Sequence, residues 1–196
     1  MKIGEAKPIY YANRRELVDQ TRDLFARKEK AENAYKLTGD KTFSEQAVSL
    51  ELSLEATQKA FDENQKVLDS LCEQEVAAFN MENSKQQGDA MEEEMKNLGK
   101  IMIVFRRLAK GDIVPLTDEK KLMEYDDKMY QMAKNMQAMA QQMEKEHKKH
   151  KSLWEDEEKK EYPDPQEVAD NTEYGGTLPD IEIPDVPADM TGAELQ

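Results

Sequence analysis

Residues 98–143 read LGKIMIVFRRLAKGDIVPLTDEKKLMEYDDKMYQMAKNMQAMAQQM, and this stretch decides the fold class. Ile101, Met102, Ile103, Val104 and Phe105 form the densest apolar run of the chain. Met129, Met132, Met136, Met139 and Met143 then recur at alternating steps of three and four, the pattern of a heptad seam on a helix. Between the two, Gly111 and Pro115 stop one helix, and Thr117 followed by Asp118 and Glu119 opens another. The stretch predicts a helical hairpin.

Working back from it, Met91, Met95, Leu98, Met102, Phe105 and Ala109 keep steps of four and three. Upstream, Ala47, Leu50, Leu54, Thr57, Phe61, Asn64, Leu68 and Leu71 do the same, with the stripe expected to shift to Cys72, Val76 and Phe79 as at a stutter. Polar Asn64 inside such a seam suits the fixing of helix register. Gly88 costs a helix about 1 kcal/mol relative to Ala and need not break it. One helix over residues 42–110 is therefore predicted, on the order of 100 Å long at 1.5 Å per residue. A compact bundle broken at Gly88 is the alternative. A shorter helix over 13–37, capped by Asn13 and Glu16 and closed at Gly39, precedes it. Another, over 117–150, follows, with Asp126-Asp127 either capping a second segment or facing solvent. Short connections make both antiparallel to the long one.

The expected architecture is all-α, elongated and coiled-coil-like: a lead over 1–12, a helical body over 13–154 and an acidic tail over 155–196. Hydrophobic residues at 38%, charged residues at 36% and a mean hydropathy of −0.92 favour a narrow seam over a large core. The net charge of −14 is unevenly placed, since residues 155–196 hold fourteen Asp and Glu against Lys159 and Lys160. Pro163, Pro165, Pro179, Pro184 and Pro187 fall there too. That composition predicts a disordered tail. Within it, Pro179-Asp180-Ile181 and Pro184-Asp185-Val186 repeat at five residues, with Ile183 between them, and suit an extended linear motif.

The search for chemistry returns no catalytic constellation. Glu144, His147 and His150 share a helix face at Glu-x-x-His spacing, but a bundle metal site needs a second such motif, and these are the chain's two histidines. Cys72 is the single cysteine and has no histidine near it in sequence, so it reads as a small hydrophobe. The glycines are isolated except for Gly175-Gly176, which excludes a phosphate-cradling loop. Lys100, Arg106, Arg107 and Lys110 make a small basic patch, too weak against this net charge for nucleic-acid binding. No cofactor or metal is implied. No apolar run approaches a membrane span and no leader peptide is legible, which points to a cytoplasmic protein; export by a route needing no leader stays open.

Methionine is flexible and polarizable. It fills irregular cores and also serves surfaces that repack around a partner. The seam of Met129, Met132, Met136, Met139 and Met143 is expected either to pack on Met91, Met95, Met102 and Phe105 or to bind a partner. With Trp154, Ile181, Ile183 and Val186, these residues are the candidate partner contacts. The function expected is a non-enzymatic interaction protein: a scaffold, adaptor or assembly component with protein partners or a second copy of itself. The alternative is a helical chaperone or inhibitor whose acidic tail masks a basic client.

Overall fold

Helix α1 spans Ile3–Thr38 and opens ten residues earlier than Asn13. Lys2 N donates to Glu5 Oε2 at 3.3 Å, half of a capping box. Ile3, Tyr10, Leu17, Leu24 and Ala31, at steps of seven, are all buried, with Ala6 beside them. The expected lead of residues 1–12 is thus the first third of α1. Pro8 sits within the helix, where it lacks the N–H that would bond the carbonyl four residues back, so burial on this face outweighs a local defect. Val18 and Phe25, each next to a buried leucine in the sequence, are exposed. Gly39, at φ 70°, ends the helix in the left-handed conformation, its N–H donating to Tyr35 O at 2.8 Å.

Helix α2 is a single helix over Lys41–Ala109, close to the predicted 42–110 and unbroken at Gly88. Its cap is Asp40, whose Oδ1 accepts from Thr42 N at 2.9 Å. Helix α3 covers Leu116–Tyr125 and α4 covers Asp127–Gln141. Of the two readings of Asp126-Asp127 within the helix expected over 117–150, the capping one holds, and the second segment ends at Gln141. Asp126 adopts extended backbone (φ −155°, ψ 106°), and its side chain accepts from Met129 N at 3.0 Å, capping α4. A short helix α5, Pro165–Asn171, lies in the supposed tail. The computed structural model describes residues 1–143, 148–155 and 160–187. Among these, β-structure is limited to two isolated bridges, Lys2 with Glu173 and Ile113 with Lys149.

The chain divides into two compact units: Met1–Glu82 with the chain from Pro163, and Asn83–Tyr162. α2 contributes to both.

In the first unit α1 and the first half of α2 are antiparallel. Lys7 pairs with Glu75, Arg14 lies over the Phe61 ring at 5.8 Å, and Lys28 pairs with Glu51 at 3.2 Å, so one number rises as the other falls. The α2 seam is buried as read at Ala47, Leu50, Thr57, Asn64, Leu68 and Leu71. It continues to Ala78 at a step of seven, and Val76 is exposed. The expected stutter is therefore absent. Buried Asn64 donates from Nδ2 to Tyr10 O at 3.0 Å, a register contact between the helices.

In the second unit α3 turns back along the end of α2, and α4 turns back along α3. Ile101, Val104, Leu108, Val114, Leu122 and Ala133 form its core, with Phe105, Met129, Tyr130, Leu153 and Trp154 packed around them. The non-helical segment 148–155 is clipped on at two points. Asp112 takes Lys148 N at 3.1 Å on Oδ1, and His150 Nε2 lies 2.9 Å from its Oδ2. Asp118, fully buried at the start of α3, accepts from Ser152 Oγ at 2.5 Å and Leu153 N at 3.0 Å.

The tail reading is corrected for residues 160–187. After α5, Tyr174 N donates to Met1 O at 3.1 Å, and the chain then runs extended beside α1. Ile181 is buried with Ile3, Tyr10, Leu17 and Leu71, and Val186 packs on Leu24, Ala31, Ala47 and Leu50. Composition favoured disorder because this segment has no core of its own; the α1/α2 hairpin supplies one. The expected disorder of residues 156–159 and 188–196 concerns positions outside the described residues.

Candidate interaction surfaces

Helix α4 carries most of the methionine seam, and the structure turns that seam outward. The face of α4 against the second unit's core presents Ala133, with no exposed surface, and Gln137, whose Nε2 donates to Asp112 O at 3.2 Å. Lys134 Nζ reaches Glu119 Oε2 of α3 at 3.2 Å, fixing the helix from the side. A small residue at 133 lets the helices approach closely, and long Met side chains then fall on the far face. Met132 is 58% exposed and Met139 68%, with Met136 and Met143 exposed beside them. Of the five, only Met129 packs against the core. The intramolecular reading of the seam is therefore corrected for Met132, Met136, Met139 and Met143.

The same geometry recurs on α2. Ile101, Val104 and Leu108 face the core, while Met91, Met95, Leu98 and Met102 are exposed. Both exposed sets follow the same order of steps, four, three, four: 91, 95, 98, 102 and 132, 136, 139, 143. Tyr125, at the end of α3, joins Met91, Met95, Leu98 and Ile101 around an open cleft of about 560 Å³. These α2 positions were legible as a helix stripe, but their exposure was not. Residues 135–143 of the other stripe, NMQAMAQQM, contain no charged side chain. Such apolar area left exposed is a mark of interaction surfaces.

Trp154 is placed differently. Its Nε1 donates to Asn97 Oδ1 at 2.8 Å, and Lys121 lies 4.2 Å and Lys100 5.4 Å from its ring centre. It anchors segment 148–155 and is half-buried, engaged within the second unit. Ile181, Ile183 and Val186 come together in the first unit, where α1 and α2 already hold them.

Three side chains of α1 bond the extended segment through its carbonyls. Tyr10 OH donates to Pro179 O at 2.6 Å, Gln20 Nε2 to Pro184 O, and Arg27 Nη1 to Pro187 O at 3.1 Å. Burial, and then the negative charge of Asp180, push the Tyr10 phenol above its ordinary value, so it stays a donor. Lys7 is likewise raised, mainly by its hydrogen bond to Glu75.

Nothing in the described residues groups three or more His, Cys, Asp or Glu as a metal site would. Glu144 and His147 lie outside the described residues, and His150 is engaged with Asp112. Cys72 is half-buried in α2. Among the described residues no helix is long and apolar enough to cross a membrane. The chain matches no protein-family model, and comparison with curated proteins and with solved structures finds no match.

Proposed function

We propose that this chain is a non-enzymatic helical interaction protein, a scaffold, adaptor or assembly component, whose second unit binds partner helices through its methionine faces. The observation that carries the reading is a core complete without them. Ile101, Val104, Leu108, Leu122 and Ala133 fill the interior, while Met91, Met95, Leu98, Met102, Met132, Met136 and Met139 remain exposed. Unbranched thioether side chains repack at little cost, which suits a face that accepts an amphipathic helix. A cytoplasmic setting belongs to the same proposal. The alternative, an acidic tail masking a basic client, has less support, because Ile181 and Val186 hold the tail to the protein's own helices.

The test is the pair Met95→Asp and Met136→Asp. Both positions are exposed, so each variant is expected to melt within about 0.5 kcal/mol of the parent. A partner helix, or a second copy, should lose affinity by at least about tenfold, since the new charge would be desolvated unpaired. Unchanged affinity for every partner captured by the parent would refute the reading. A large loss of stability would show that these faces are internal.

A further inference from the structure

Residues 177–187 bind the α1/α2 hairpin as a peptide ligand binds a receptor. They lie parallel to α1, and the fit is metric. Pro179 to Pro184 is five residues and Tyr10 to Gln20 is ten. At about 3.1 Å per extended residue and 1.5 Å per helical residue, both intervals come to about 15 Å. Pro184 to Pro187 and Gln20 to Arg27 match again, at about 10 Å each. Two apolar anchors, Ile181 and Val186, fill successive places in the hairpin groove, while Asp180, Glu182 and Asp185 between and around them are exposed.

Among the described residues the strap's polar contacts are α1 side chains donating to its carbonyls, and two observations set its docking against a cost. Gln20 Oε1 is buried with no hydrogen-bond partner at the point where Gln20 Nε2 grips Pro184, and an unpaired buried acceptor is unfavourable. Glu16, Asp19 and Asp23 stand with Asp185 around the adjoining cleft of about 440 Å³, although Arg22 and Arg27 pair with Asp19 and Asp23. The strap leaves the rest of the unit at Gly176. Upstream of it the chain is fixed by Gly175 N donating to Gln74 Oε1 of α2 at 2.8 Å, by Ser70 Oγ and Tyr174 OH at 3.0 Å, by Tyr174 N on Met1 O, and by α5 against α1, where Gly4 lets Asp170 Cβ within 3.1 Å of where a Cβ would stand.

We infer that residues 177–187 are an exchangeable strap: pivoting at Gly176, it leaves the α1/α2 groove, and the strap of a second copy occupies it in the same register. A second copy is the occupant because the groove's donors and apolar places are spaced to this segment. Glycine supplies the backbone freedom of the pivot, and exchange of an identical element creates the new contact at low cost.

The experiment is the oligomeric state of the full chain by sedimentation from micromolar to millimolar concentration, for the parent, Gly176→Ala and Ile181→Asp. The parent is expected to form a dimer as concentration rises. In Gly176→Ala the added Cβ meets Tyr174 Cε1 at 2.9 Å; this strains the folded-back path and should raise the dimer fraction several-fold. Ile181→Asp should abolish the dimer and bind a fluorescein-labelled peptide of residues 172–187 at least about tenfold more tightly than the parent, whose own strap competes at high effective concentration. If Ile181→Asp fails to fold, the Gly176→Ala comparison still decides. A parent and a Gly176→Ala chain that stay monomeric throughout overturn the inference. So does a dimer that survives in Ile181→Asp but is lost in Met136→Asp, which would assign self-association to the methionine face instead.

Discussion

Replacing Asp118 with Ala should release segment 152–154 from the second unit and leave the first unit intact. The Asp118 carboxylate is fully buried and receives Ser152 Oγ at 2.5 Å and Leu153 N at 3.0 Å, with Thr117 Oγ1 at 3.2 Å. Hydrogen bonds to a charged acceptor contribute about 1.5–3 kcal/mol each, and donors left buried without a partner cost a similar amount. Segment 152–154 can escape part of this by swinging into water, so the expected loss is about 2–4 kcal/mol and not the full sum. The chain's one tryptophan, Trp154, is the reporter, because its indole rests against Lys121 and bonds Asn97 only while the segment is docked. Denaturant titration followed by Trp154 emission should show a lower midpoint and a red-shifted native baseline. Far-ultraviolet circular dichroism, dominated by α1 and α2, should keep its native signal over that range. Asp118→Asn, which retains an acceptor oxygen, should lose about half as much. A Trp154 midpoint within about 0.5 kcal/mol of the parent for Asp118→Ala would refute the claim that this carboxylate holds the segment.

Asp112 gives a pH dependence of fixed sign. The His150 side chain first, and the Lys148 backbone N–H second, hold its carboxyl below the ordinary 3.8. A carboxyl lowered by folding adds stability that is complete above its unfolded value and is lost as pH falls through the folded one. The Trp154 transition should weaken from about pH 4 downward, and Asp112→Asn should flatten that limb, as acid titrations of the two chains would show. Asn64→Leu should change stability by no more than about 1 kcal/mol, since it removes both a bond to Tyr10 O and a buried, unpartnered Oδ1. Asn64→Asp should lose several kcal/mol in thermal melts, because it buries a charge facing a carbonyl.

The long helix was legible because a seam leaves a period. Ala47 to Leu71 alternate by three and four whatever they face, and Gly88 alone lacks the strength to stop a helix. The start of α1 was not legible, because Pro8 and the surrounding Ile9, Tyr10 and Tyr11 resemble a helix entrance, and only the neighbours of Ile3 and Ala6 show that burial begins earlier. The methionine stripe was found with its residues and spacing correct, yet a period names a face and not its covering. Ala133 and Gln137, inconspicuous in sequence, take the covered face. The strap shows the reverse failure. Its five-residue repeat is visible, but the acids and prolines of 155–196 dominate the composition, while the order of residues 173–187 comes from helices more than 100 positions away in the chain.

That separation sets an order of events during synthesis. The second unit lies wholly between the parts of the first, so residues 83–162 can fold while the groove between α1 and α2 still lacks Ile181 and Val186. At ribosomal rates of about 5–20 residues per second, the groove stands open for several seconds on every nascent chain. On a polysome, where neighbouring chains are close, the first strap to reach that groove need not be its own.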